Sequence, residues 1–170
     1  MKKIYLIITI LFVGLYSCKA QLNELTQTEY YGIKINNVTF RSIYDTNADL
    51  TKMRALFGND ILYKFENDIL IRKEFWKPGL YYFNFNSDMG NDYFLTVFKI
   101  RSSLVSVTVK GVTAKLGDDK SVFANNTAIN THVGSNNTIA FIDKLTGSAL
   151  LIFKIDEISN KIIEITFNAF

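Results

Sequence analysis

His132 is the chain's only histidine, and Cys18 its only cysteine. A zinc site away from Cys18 would therefore need one imidazole and several carboxylates, an unusual donor set. Asn130, Thr131, Gly134 and Ser135 surround His132 and mark a solvated loop. A Ser–His–Asp triad can be assembled from distant residues. No serine, however, stands in the Gly-x-Ser-x-Gly setting that exposes a nucleophile at a strand-to-helix turn. The stretch Asn86-Ser87-Asp88-Met89-Gly90-Asn91-Asp92 sets oxygen side chains around a glycine. It lacks the glycine placement and closing glutamate of an EF-hand loop, and reads as an Asx-rich hairpin connection. Asp118-Asp119 suits a helix start, where negative charge meets the exposed N–H groups. Gly111 and Gly117 do not make a phosphate loop. The expectation is a non-catalytic chain with no cofactor and no metal.

Cys18 is the residue with the clearest chemistry. Lys2 and Lys3 precede thirteen largely apolar residues, Ile4 to Tyr16, and the sequence turns polar at Ser17-Cys18-Lys19. A membrane-spanning helix needs about 20 apolar residues. The pattern is instead that of an export signal. Leu15-Tyr16-Ser17-Cys18 resembles the lipobox of bacterial lipoproteins. That resemblance implies cleavage before Cys18, a thioether to diacylglycerol on its sulfur, and further acylation of palmitate type. Such a chain would sit in the cell envelope, at the outer membrane, held by several acyl chains; stable anchoring takes at least two. Cleavage after Ala20 would instead release a soluble secreted protein.

The export signal accounts for much of the net charge of +3. Without Lys2 and Lys3, seventeen basic residues face sixteen acidic ones, and no basic run suggests nucleic acid. Fourteen phenylalanines, nine tyrosines and a single proline suit a sheet-rich core.

The elements that must position any site follow from periodicity. After a polar tether reaching residue 30, Gly32 to Asn37 reads as a short strand and turn. Thr46 and Asp49 form a capping box, and Leu50, Met53, Leu56 and Phe57 recur at helical spacing up to Gly58. From Ile61 the period is two. Strands are expected at 61–66, 69–76, 81–85, 93–100 and 105–109, with Lys77-Pro78-Gly79 as a type II turn. Gly117-Asp118-Asp119 opens a short helix through Val122 and Phe123, and the Asn-rich stretch 125–138 is loop. Strands return at 138–143, 148–156 and 161–167, with Ile163, Ile165 and Phe167 on one face.

Two echoes suggest repeated halves. Val97-Phe98-Lys99-Ile100 with 105–109 resembles Ile152-Phe153-Lys154-Ile155 with 162–167, each read as a hairpin closing a half. Ile35-Asn36-Asn37-Val38-Thr39 resembles Val109-Lys110-Gly111-Val112-Thr113. The organisation expected is signal 1–17, lipidated cysteine and tether 18–30, a first α+β half 31–110 and a second β-rich half 111–170. The fold class is α+β, mainly antiparallel sheet with one or two short helices on one face.

The capped helix ending in Leu56-Phe57-Gly58, the aromatic strand Tyr81–Phe85 and the hairpin from Tyr93 to Val109 resemble one repeat of the β-lactamase-inhibitor-protein fold. The same layout occurs in outer-membrane assembly lipoproteins of the BamE (SmpA-like) type. The resemblance covers residues 45–110 well and 111–170 loosely. It implies a non-catalytic module that binds another envelope or secreted protein through the sheet face away from its helices, as inhibitor, immunity protein or assembly partner. Independently, if Tyr81, Phe83 and Phe85 point inward, Leu80 and Tyr82 point outward, and so does one of Phe75 and Trp76. Trp76, Leu80 and Tyr82 are thus the candidate binding residues, since aromatic side chains dominate protein interfaces. The alternative function is binding of a small apolar ligand or lipid in a phenylalanine-lined pocket.

Overall fold

The alternation of apolar and polar residues from Leu62 onward builds the large sheet. In the computed structural model, which describes residues 22–67, 71–87, 92–131 and 137–169, it has eight strands in the order β1-β10-β11-β12-β7-β6-β5-β4. The strands are β1 (Asn23–Leu25), β4 (Leu62–Asn67), β5 (Ile71–Lys77), β6 (Tyr81–Ser87), β7 (Phe94–Ile100), β10 (Thr138–Asp143), β11 (Ala149–Ile155) and β12 (Ile162–Ala169). Every neighbouring pair is antiparallel except β1–β10, which is parallel. A second sheet, β3-β2-β8-β9, is formed by β2 (Lys34–Ile35), β3 (Val38–Thr39), β8 (Ser106–Val109) and β9 (Val112–Lys115). Three short helices are present among the described residues: α1 (Gln27–Tyr31), α2 (Phe40–Tyr44) and α3 (Leu50–Phe57), with a 3-10 turn at Lys120–Phe123. The chain is α+β, mainly antiparallel. The third helix is α1, where only a tether was expected.

One face of the large sheet carries the core. Tyr81, Phe83 and Phe85 of β6 are all buried, as their spacing requires. Phe40 of α2 stands edge-on to Phe98 of β7 and Phe167 of β12, with centroids 5.5 and 5.3 Å away. Phe57 of α3 packs on Tyr81 and Phe83, and Phe123 of the 3-10 turn packs on Phe141 and Phe153. The helices therefore lie on one side. Ile35, Val107, Val109 and Ala114 of the small sheet join the same buried cluster.

The order of elements repeats. A two-residue hairpin, then helical turns, then an antiparallel meander occurs as β2–β3, α2–α3, β4–β7 and again as β8–β9, Lys120–Phe123, β10–β12. Both hairpins of the second sequence echo are real, with Ile35 opposite Val38 and Val109 opposite Val112. Lys110 and Gly111 take φ of 48° and 77°, the positive values that a tight hairpin turn demands. The halves meet where β2 pairs with β8 and where β7 pairs with β12. The first echo fares differently. Only β11–β12 is a hairpin; β8 leaves β7 and joins the small sheet. Alternation fixes the face of a strand but not its neighbour.

Four local expectations are corrected. Asp49, not Thr46, caps α3, accepting from the Lys52 N–H at 2.9 Å. Asn47 and Ala48 have positive φ, so the chain turns after Thr46, whose hydroxyl donates to the Ile43 carbonyl instead. Ile163 does not share the face of Ile165 and Phe167. It is the extra residue of a bulge between the Ile155↔Ile162 and Lys154↔Glu164 pairs, and it is exposed. Leu80 is treated with the site below.

The fourth correction concerns the tether, which cannot extend to residue 30. Asn23 is buried: its amide donates to the Asn130 and Ala140 carbonyls at 3.1 and 3.0 Å and accepts from the Asn130 N–H at 2.7 Å. Thr26 and Glu29 form a reciprocal capping box for α1. Thr26→Ala is therefore expected to lower unfolding free energy by about 1 kcal/mol in urea titrations, the usual effect of a lost N-cap. In a tether the same change would leave stability unaltered.

Candidate functional site

The face of the large sheet opposite the helices is built by the residues that alternate with the core set. Phe75 is buried and its neighbour Trp76 only partly so, which settles which of the two faces out. Trp76 stands opposite Leu62 on β4 and Tyr82 on β6. Tyr82 is opposite Lys99 on β7, Lys99 opposite Thr166 on β12, and Thr166 opposite Ile152 on β11. One unbroken transverse row thus runs across both halves. A second row, through Lys64, Glu74, Asn84, Val97 and Asn168, runs beside it.

Leu80 does not belong to this face. β6 begins at Tyr81, and Leu80 closes the turn by donating its N–H to the Lys77 carbonyl at 3.0 Å. Its side chain packs at the margin of the core. The alternation that places Tyr82 does not carry through a turn in which Gly79 has φ of 72°.

Charges sit around the aromatic pair. Glu66 is held by Lys64 and Arg72, and Arg72 Nε lies 3.3 Å from Glu74 Oε1. The Tyr82 hydroxyl donates to Glu74 Oε1 at 2.9 Å, and the Arg101 guanidinium lies 6.0 Å from the centroid of its ring. The Lys64 and Arg72 cations beside Glu66 hold its carboxyl below the ordinary range. Asn84 and Asn86, on the same face of β6, keep their Oδ1 atoms buried without a hydrogen-bond partner among the described residues. Alternation made Trp76 and Tyr82 legible in the sequence. The charges and the two amides join them only once the strands are in register.

Burial, then the bond to Glu74, pushes the Tyr82 hydroxyl up to about 12. Burial likewise raises Tyr81 and Tyr44 to about 12, and raises Tyr30, whose hydroxyl is 2.7 Å from that of Tyr44. The neutral phenols are favoured by folding. For Tyr44, Tyr81 and Tyr82 the stabilisation is complete below the unfolded value of about 10 and is lost as pH rises through 12. Melting temperature is expected to hold to about pH 10 and then fall. Tyrosinate absorbance recorded beside the melts should show these phenols ionising above about pH 10.

Cys18 and His132 lie outside the described residues, as does most of the Asn86–Asp92 loop. Among the described residues no three of His, Cys, Asp and Glu come together as a metal site, and no helix is long and apolar enough to cross a membrane. The candidate site described here is a face of the large sheet.

No family model and no curated protein matches the chain. A similar solved structure is a cysteine-rich secretory protein from Staphylococcus aureus subsp. aureus Mu50, with a TM-score of 0.38 and 15% identity over 71% of this chain. The chain spans 43% of that protein's length. A likeness at that level carries no inference about fold or function.

Proposed function

We propose that this chain is an exported, non-catalytic cell-envelope protein, lipid-anchored through Cys18 at the outer membrane. In this reading it binds another envelope or secreted protein through the open face of its large sheet. The observation that carries the reading is the partly exposed Trp76–Tyr82 pair in a row that crosses both halves. Seven strands from β4 to β10 at about 4.8 Å spacing make a face about 29 Å wide. A standard protein interface covers about 800 Å² per partner, which is a patch of that width. The composition of the row also suits an interface: aromatic and aliphatic side chains at its β4 end, with charges beside them. A face opposite the helices is also the one that proteins of the β-lactamase-inhibitor type, which the chain resembles in residues 45–110, use for binding.

Quantitative co-purification of tagged protein from gently solubilised envelope, with Cys18→Ser beside it, tests both parts. A near-stoichiometric partner retained by both forms supports the binding face. Its absence from both would remove the function. The anchor is read from intact mass: a chain beginning at Cys18 and carrying acyl groups is expected, and an unmodified chain beginning at Gln21 would refute it.

A further inference from the structure

β4 pairs with β5 on one side and with no described strand on the other. The other edges are short: three residues in β1, two in β3 and four in β9, against six in β4. An edge of that length offers unpaired N–H and C=O groups to another strand, and proteins ordinarily protect such edges with lysine, proline or bulges. β4 has neither proline nor bulge. It exposes Leu62 on one face and Phe65, 49% exposed, on the other. Lys64 would repel a second strand, but Glu66 stands two residues on and on the same face.

We propose that β4 is a dimerisation edge that pairs antiparallel with β4 of a second copy of this chain, with Phe65 on the twofold axis. The sequence Tyr63-Lys64-Phe65-Glu66-Asn67 is self-complementary in that register. Lys64 meets Glu66 of the second copy, Glu66 meets its Lys64, and the two Phe65 rings meet on the opposite face. Opposite charges and aromatic pairs directly across strands stabilise the ladder, and like charges destabilise it. A register slipped by one residue would put each lysine against a phenylalanine's face of the sheet and lose both contacts. Pairing joins the two large sheets edge to edge. The inference does not depend on the proposed function: a strictly monomeric chain would overturn it and leave the binding face untouched.

Cysteine cross-linking reads the register directly, using the full chain in intact cells. Residues directly opposite in an antiparallel pair have Cα atoms about 4.5–5.5 Å apart, within reach of a disulfide. Phe65→Cys is therefore expected to form a disulfide-linked dimer. Asn67→Cys would lie about 13 Å from its own copy at about 3.3 Å per residue, and Leu62→Cys farther still, so neither should link. All three positions are exposed, which spares the fold. Glu66→Lys should reduce the Phe65→Cys dimer by about tenfold, from two like-charge pairs, and adding Lys64→Glu should restore it. Equal linking at all three positions, no linking at position 65, or a link from position 65 to a different protein would each overturn the proposal.

Discussion

Phe167→Ala is expected to destabilise the whole chain by about 3–5 kcal/mol, as removal of a fully buried phenyl ring does. Phe167 of β12 lies directly across from Phe98 of β7, and the two rings stack with planes 6° apart and centroids at 5.6 Å. Phe40 closes the cluster edge-on to both. This seam is where the meander of the first half joins that of the second. A domain holds only about 5–15 kcal/mol in reserve, so a loss of this size leaves little. Two probes distinguish one cooperative unit from two. Trp76, the only tryptophan, reports from β5 in the first half, whereas far-ultraviolet circular dichroism reports from every strand. In urea both midpoints should fall together. Movement of the dichroism midpoint alone would mean that the halves fold separately.

The strands were legible because one face of each is buried, and burial writes a period of two into the sequence. β10, β11 and β12 begin and end within two residues of the expected spans, and Tyr81, Phe83 and Phe85 all face the core. Turn chemistry was legible where backbone geometry dictates residue type, as at Lys77-Pro78-Gly79. What alternation does not encode is pairing. Nothing in Val105 to Val109 says that β8 leaves the large sheet for β2, since both destinations bury the same valines. The parallel pairing of β1 with β10 spans more than a hundred residues, and of the two residues that β1 buries one, Asn23, is polar and held by its amide, so three residues write no apolar alternation.

Which side chains face outward was legible in part, by the same logic. Trp76 and Tyr82 follow from strict alternation within strands, while Leu80 fails because a turn resets the direction of the side chain. Ile163 fails because a bulge does the same inside a strand. The capping box Thr26-x-x-Glu29 was present in the sequence and would have revealed α1, had its polar surroundings not resembled a tether.

Trp76→Ala is expected to weaken partner capture by about 30-fold, the loss of roughly 2 kcal/mol typical of a tryptophan hot spot. Its neighbours Leu62 and Tyr82 lie on the same face, and the side chain is not part of the buried cluster. Truncation should therefore cost the fold about 0.4–2 kcal/mol from the two lost cross-strand pairs, a modest shift in melting temperature. Tyr82→Phe separates the ring from its hydroxyl. It keeps the apolar surface but frees Glu74 from a 2.9 Å bond, so capture should fall by a few-fold at most. Leu104, 81% exposed in the turn between β7 and β8 and not part of the row, supplies the comparison: Leu104→Ala should leave capture unchanged. Ile152 tests how far the partner reaches, because it lies on β11 in the second half at the other end of the same row. Loss of capture in both Trp76→Ala and Ile152→Ala would place the partner across the seam that β7 and β12 form. Loss in Ile152→Ala alone would move the contact to the second half and remove the aromatic pair from it.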